Sequence, residues 1–188
     1  MLKVGIYLPS KIQQSGQLLR LPARSSSGSI GMSDKLRKLV VTEAKTWIGT
    51  PYHDNGDVKG AGVDCAMLLL RVFVDIGLVP NFDPRPYPMQ WSLHQRAERY
   101  LETVKKYARE ISGPPLPGDI AMFKFGLTYS HGVIVIEWPR IIHANPPGKC
   151  RYCEDVYRET GFMRLMRDMP PKFFSVFSET DDHEERLL

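Results

Sequence analysis

Cys65 stands where a loop turns into a helix. Asp64-Cys65 closes a loop containing Gly56, Gly60 and Gly62, and apolar residues then follow at helical density to a stop at Gly77. The unpaired N–H groups and partial positive charge of a helix start favour an anion. A thiol in the first turn is therefore expected to ionise more readily, and the thiolate is the nucleophile. A small buried cysteine in a core helix fits the same stretch. A cysteine nucleophile also needs a base within hydrogen-bonding reach and a third group that orients the base. Of the five histidines, His183 falls in an acidic tail and His94 on a polar helix, and both read as surface residues. His53, in the glycine loop, is either a pocket residue or solvated. His131 opens an apolar strand directly after a turn, and His143 ends the following strand. Neighbouring antiparallel strands lie about 5 Å apart, so a relay from His143 through His131 to Cys65 is geometrically reasonable. Two core histidines bonded to backbone would give the same spacing.

Positioning these residues falls to two kinds of element. From Asp34, the recurrence of Leu36, Leu39, Val40, Ala44, Trp47 and Ile48 predicts an amphipathic helix, with Ser33 as N-cap and Gly49 and Pro51 ending it. A second helix is expected from about Asp64 to Ile76. The prolines at 80, 84, 86 and 88 exclude regular structure there, and Trp91 to Arg109 reads as a polar surface helix. After the break at Gly113–Gly118 the period changes. Strands are expected at 119–125, 131–137 and 141–144, with edge strands at 150–157 and 161–166. Helices first and an antiparallel sheet second is an α+β pattern.

At 188 residues the chain suits one domain with tails. Residues 1–31 read as an N-terminal extension and possible partner-docking arm, with four cations, no acid and a serine-rich tract. Residues 32–178 form the domain. Residues 179–188 form an acidic tail, with five acids against Arg186. The net charge of +4 could help binding to an anionic polymer such as cell wall or nucleic acid, but reads more simply as a normally solvated surface, and no nucleic-acid partner is expected. No run of about 18 apolar residues occurs, so no membrane insertion is expected. The N-terminus lacks a signal-peptide block, which suggests cytoplasmic synthesis or export by another route. Three cysteines are too few for a disulfide scaffold. Cys150-Arg-Tyr-Cys153 is half a zinc site, a redox-sensitive pair, or two plain β-edge residues.

Several pieces in order carry a resemblance. They are Ala44-Lys-Thr-Trp-Ile-Gly-Thr-Pro-Tyr52, Lys59-Gly-Ala-Gly-Val-Asp-Cys65, Leu116-Pro-Gly-Asp-Ile120, Ser130-His-Gly-Val-Ile134 and Ile141-Ile-His-Ala144. Over roughly residues 36–145 the chain resembles the NlpC/p-sixty family of papain-like cell-wall cysteine peptidases. The resemblance implies a papain-like α+β fold, with N-terminal helices, one carrying the cysteine, packed on a C-terminal antiparallel sheet. It implies Cys65 as nucleophile, His131 as general base and His143 as the residue orienting it. Tyr52 then lines the site, and Asp64 contacts the substrate amine, as in some members. The implied substrate is the peptidoglycan stem peptide, cleaved between D-glutamate, through its γ-carboxyl, and the diamino acid. No metal or other cofactor is implied.

Two residues depart from the family pattern. Ala66 stands where most members have Ser after the cysteine, which removes a hydroxyl near the site and bears on amine recognition. Gly132 stands where Val is common, and is expected to matter little. Tyr87-Pro-Met-Gln-Trp91, Leu93-His94 and the helix with Glu98 and Leu101 look like the insert of phage tail-associated members and of gene transfer agents. That likeness implies a virion-tail location, made in the host cytoplasm and acting on the host cell wall, with tail-tip or hub proteins as partners. Two other readings share the scaffold: a structural tail-tip protein with little activity, and an amidase or acyltransferase.

Overall fold

The computed structural model describes residues 30–87, 98–146, 148–154, 156 and 170–178. Helix α1 spans Ile30–Thr46 and α2 Cys65–Asp75. A short ribbon between them pairs β1 (Asp57–Val58) with β2 (Gly62–Val63). Helix α3 spans Arg99–Tyr107. Six antiparallel strands follow: β3 (Arg109–Ile111), β4 (Ile120–Phe125), β5 (Thr128–Glu137), β6 (Arg140–Ala144), β7 (Cys150–Cys153) and β8 (Lys172–Ser175). They lie in the order β3-β8-β4-β5-β6-β7. The α+β expectation holds, with the cysteine on the helix that packs against the middle of the sheet.

Helix α1 turns a different face inward than its apolar residues alone suggest. Its buried line is Ser33, Arg37, Val40, Ala44 and Trp47, while Leu39 and Ile48 are about half exposed (50% and 45%). The helix begins at Ile30, so Ser33 is a buried first-turn residue and not the N-cap. Arg37 holds this register through a buried ion pair with Asp119 at 2.9 Å. The same guanidinium donates to the Pro117 carbonyl and lies over the Phe177 ring. A hydrophobic pattern is blind to such a charge.

The sheet has two apolar faces. Met67, Leu68, Val72, Ile134, Ile142 and Phe174 share the larger cluster beneath the helices; Ala121, Phe123, Val133, Val135 and Ile141 form a second. This alternation follows from the two-residue period of a strand. The loop read between α1 and α2 holds the unforeseen ribbon β1–β2, and two strands of the large sheet also escaped the sequence reading. The helix expected to run to Arg109 ends at Tyr107, and Arg109 instead opens β3, while β8 inserts between β3 and β4. The expected edge strand at 161–166, the start of the helix at Trp91, His94, His183, most of the 1–31 extension and the acidic tail lie outside the described residues.

Strand β7 is a sheet edge, as expected for Cys150 and Cys153. Three positions apart on a strand they point to opposite faces, about 10 Å along the chain, too far for a disulfide. Cys150 packs in the large core and Cys153 against the second cluster, and all three cysteines are free. The redox-pair reading is therefore corrected. Among the described residues, no three His, Cys, Asp or Glu side chains gather in a group able to hold a metal, and no helix is long and apolar enough to cross a membrane.

Candidate active site

Asp64 starts α2. Its backbone is extended and its Oδ1 accepts from the Met67 N–H at 2.8 Å, the bond that defines an N-cap. Its Oδ2 accepts from the Asn55 N–H at 2.8 Å and from the Tyr87 hydroxyl at 2.7 Å. Asn55 reaches this position at φ 57, a left-handed conformation that Asn tolerates. Arg85 pins the same loop by donating to the Asn55 carbonyl, and pairs with Asp57, which also holds Arg71 of α2. Asp64 is only 3% exposed and burial raises its carboxyl above the usual range, against the pull of these donors.

Cys65 follows as the first residue of α2, partly exposed, with Sγ 3.8 Å from the Ser130 carbonyl of β5. Burial pushes its thiol up to about 12, and the neighbouring Asp64 charge acts in the same sense. The backbone N–H groups of Gly132, Cys65 and Ala66 pull the other way, as a helix start should, but do not prevail. The helix-start pull expected on the thiol is present but opposed by burial, which favours the neutral form.

The two histidines meet as the strand order suggests. His131 is the fourth residue of β5, which begins three residues earlier than expected. β5 and β6 pair with Ile134 opposite Ile142. Continuing that register puts His143 opposite Val133, diagonal to His131 on one face, within reach of long side chains. His131 Nε2 lies 3.1 Å from His143 Nδ1. Both rings are buried, at 5% and 0% exposure. Burial lowers His131 well below the usual range, with the nearby His143 adding to it. Burial likewise lowers His143 to about 4, helped by Arg151 opposite it on β7. Both imidazoles rest neutral.

Cys65 and His131 line one cavity of about 560 Å³, together with Tyr52, Asp64, Ala66 and Asn145. The structure therefore gathers all five residues expected at the site, with His143 behind His131. His53 is exposed on the loop, its ring against Gly62, and is not part of the cavity lining. Two tyrosines were missed. Tyr87 holds Asp64, and Tyr100 of α3 donates to the Cys65 carbonyl at 3.2 Å. Burial raises the phenols of Tyr52, Tyr87 and Tyr100, so all three stay protonated donors. Gly132 also matters more than expected. A Cβ there would lie 2.4 Å from the Tyr100 hydroxyl and 2.5 Å from Leu69 Cδ1. Tyr100 occupies the space that a side chain at 132 would take.

No protein-family model and no curated protein matches the chain. Solved structures do. One is the NlpC/p60 domain of the peptidoglycan hydrolase SagA, at 18% identity and TM-score 0.48, over 73% of this chain and 96% of that one. NlpC1 from Trichomonas vaginalis matches at 18% and 0.49, over 66% of this chain and 40% of that one. A lipoprotein-like protein of the NLP/P60 family from Staphylococcus aureus matches at 21% and 0.47, over 70% and 39%. The chain thus spans about two fifths of the length of the last two. These are the proteins it is similar to, and with TM-scores under 0.5 the likeness assigns neither activity nor substrate.

Proposed function

We propose that the chain is a cysteine endopeptidase of peptidoglycan stem peptides, with Cys65 as nucleophile, His131 as base and His143 as the residue that orients it. The observation that carries this reading is the 3.1 Å contact of His131 Nε2 with His143 Nδ1, behind a cavity that Cys65 and His131 share. With Nε2 engaged by His143, proton exchange with the thiol runs through Nδ1. His131 takes the thiol proton as Sγ attacks the carbonyl carbon, then delivers it to the leaving amine. Backbone N–H groups at the start of α2, that of Cys65 among them, face the developing oxyanion, with the Tyr52 hydroxyl beside them. Water, deprotonated by His131, then cleaves the thioester.

The motif resemblance favours the bond between D-glutamate, through its γ-carboxyl, and the diamino acid. It also favours a place at a phage tail tip, where the enzyme would open the host wall during infection. Incubating the protein and its Cys65→Ala variant with purified peptidoglycan, and reading released muropeptides by mass spectrometry, tests the activity and names the bond. Release by wild type alone is expected, and equal profiles would sink the reading. Finding the protein in purified virions is the result expected of a tail component; finding it only free in cells would refute that placement.

A further inference from the structure

The cavity does not end at Cys65 and His131. It continues along one face of α2 past Ala66, Leu69 and Phe73, with Val104 and Tyr107 of α3 also in its wall. From Ala66 to Phe73 is about 10 Å of helix. Phe82, stacked on Tyr107 with ring centroids 5.0 Å apart, lines the same arm. At about 560 Å³ the whole cavity has the size of a small-molecule site. Its acidic and imidazole side chains gather near Cys65, whereas among the described residues the α2 wall beyond it is entirely apolar, and α3 adds Arg99 and Thr103 opposite it. Ala66, at the entrance to this arm, is the position where the resembled family carries a hydroxyl.

We propose that the arm receives a hydrocarbon chain on the acyl half of a substrate, so that Cys65 also forms thioesters with apolar acyl groups. The proposal rests on the reading above only in taking Cys65 as nucleophile and His131 as its base. Direction follows from the chemistry. His131 must reach the leaving atom, so the leaving group lies toward β5. The acyl group, bonded to Sγ, then extends along α2. With an ester substrate the thiol proton passes to His131, the S–C bond forms, the C–O bond breaks and the leaving oxygen takes that proton. Water then adds its hydroxyl to the acyl carbon while its proton returns through His131 to Sγ, releasing a carboxylic acid.

A series of para-nitrophenyl esters from acetyl to octanoyl tests this on the full chain, its Cys65→Ala variant and Thr103→Trp, which places a large ring in the arm from α3. Each methylene moved from water onto the apolar wall is worth about fourfold in kcat/KM. With six methylenes between acetyl and octanoyl, the wild type is expected to gain on the order of 10³-fold across the series and to carry the octanoyl mass on Cys65 in a quenched sample. Thr103→Trp is expected to flatten the series. A flat wild-type series with Cys65-dependent acetyl hydrolysis overturns the arm and leaves the nucleophile standing. A rise that persists unchanged in Thr103→Trp also overturns the arm. Equal rates for wild type and Cys65→Ala on every ester overturn both. Where the tryptophan variant does not fold, the smaller Thr103→Leu takes its place in the comparison.

Discussion

A thiol held near 12 makes a quantitative statement about reactivity. Raised from an ordinary 9.0 to about 12, Cys65 is ionised in roughly one molecule in 10⁵ at pH 7, against roughly one in 10² for an ordinary thiol. The thousandfold deficit is partly offset, because a more basic thiolate is a better nucleophile with a Brønsted slope of about 0.4–0.5. The net expectation is alkylation by iodoacetamide roughly 50-fold slower than for a model thiol at pH 7. Peptide mapping reads Cys65 separately from Cys150 and Cys153, so no background substitution is needed. The logarithm of the rate should climb with unit slope from pH 6 to 10 without an inflection. His131→Ala should leave that slope in place, since the resting histidine carries no charge to hold a thiolate. A plateau with an apparent pKa below 7 that disappears in His131→Ala would refute the reasoning, because it would mean a standing thiolate–imidazolium pair.

Other outcomes follow from buried groups. His143 titrates at about 4 when folded and at an ordinary 6.5 when unfolded. The unfolded chain therefore takes up the proton first, and stability present above pH 6.5 declines as pH falls toward 4. The loss is on the order of 3 kcal/mol, His131 adds in the same sense, and urea unfolding at pH 7.5 and 4.5 measures it. Gly132→Ala drives a methyl into Tyr100 and Leu69; overpacking of this kind costs about 1–3 kcal/mol and shows as a lowered Tm, partly restored by adding Tyr100→Ala. Arg37→Met strands the Asp119 carboxylate at 0% exposure, a loss of about 3–5 kcal/mol by urea unfolding, where the double change to Met and Leu loses less.

The parts of this fold that were legible in the sequence are those where chemistry and periodicity coincide. Asp64 before an apolar run marks the start of α2, and β-branched residues mark β5 and β6. Their order places two histidines within reach of each other. What was hidden depends on contacts between distant positions. Nothing near Arg37 reveals that Asp119 and Phe177 will bury it, so Leu39 and Ile48 were turned inward in its place. Neither β3 nor β8 has enough residues for a period to register, and each is held by pairing with the other. Tyr100 and Gly132 explain each other only when α3 is laid over β5. The raised thiol was hidden for the same reason: a helix start can be read from a sequence, but the burial that outweighs it cannot.

Asp64 shows how far one buried carboxylate shapes the chemistry. Both of its oxygens are engaged within the protein, by Met67, Asn55 and Tyr87. That leaves it less suited to grip a substrate amine than the resemblance implies, and better suited to fix the end of α2 beneath Cys65. Its charge also opposes thiolate formation one residue away, against the helix-start donors. In the proposed mechanism, ionisation of Cys65 therefore falls to His131, at the moment of attack. For His131 to accept through Nδ1, its Nε2 must carry a proton and donate to His143 Nδ1, which puts the His143 proton on Nε2. Burial and the cross-strand Arg151 both keep His143 from gaining a second proton, so it remains an acceptor. A neutral acceptor orients an imidazolium but stabilises its charge less than a carboxylate does. In the proposed mechanism this arrangement favours a base that is charged only briefly, in keeping with a thiol whose burial favours its neutral form.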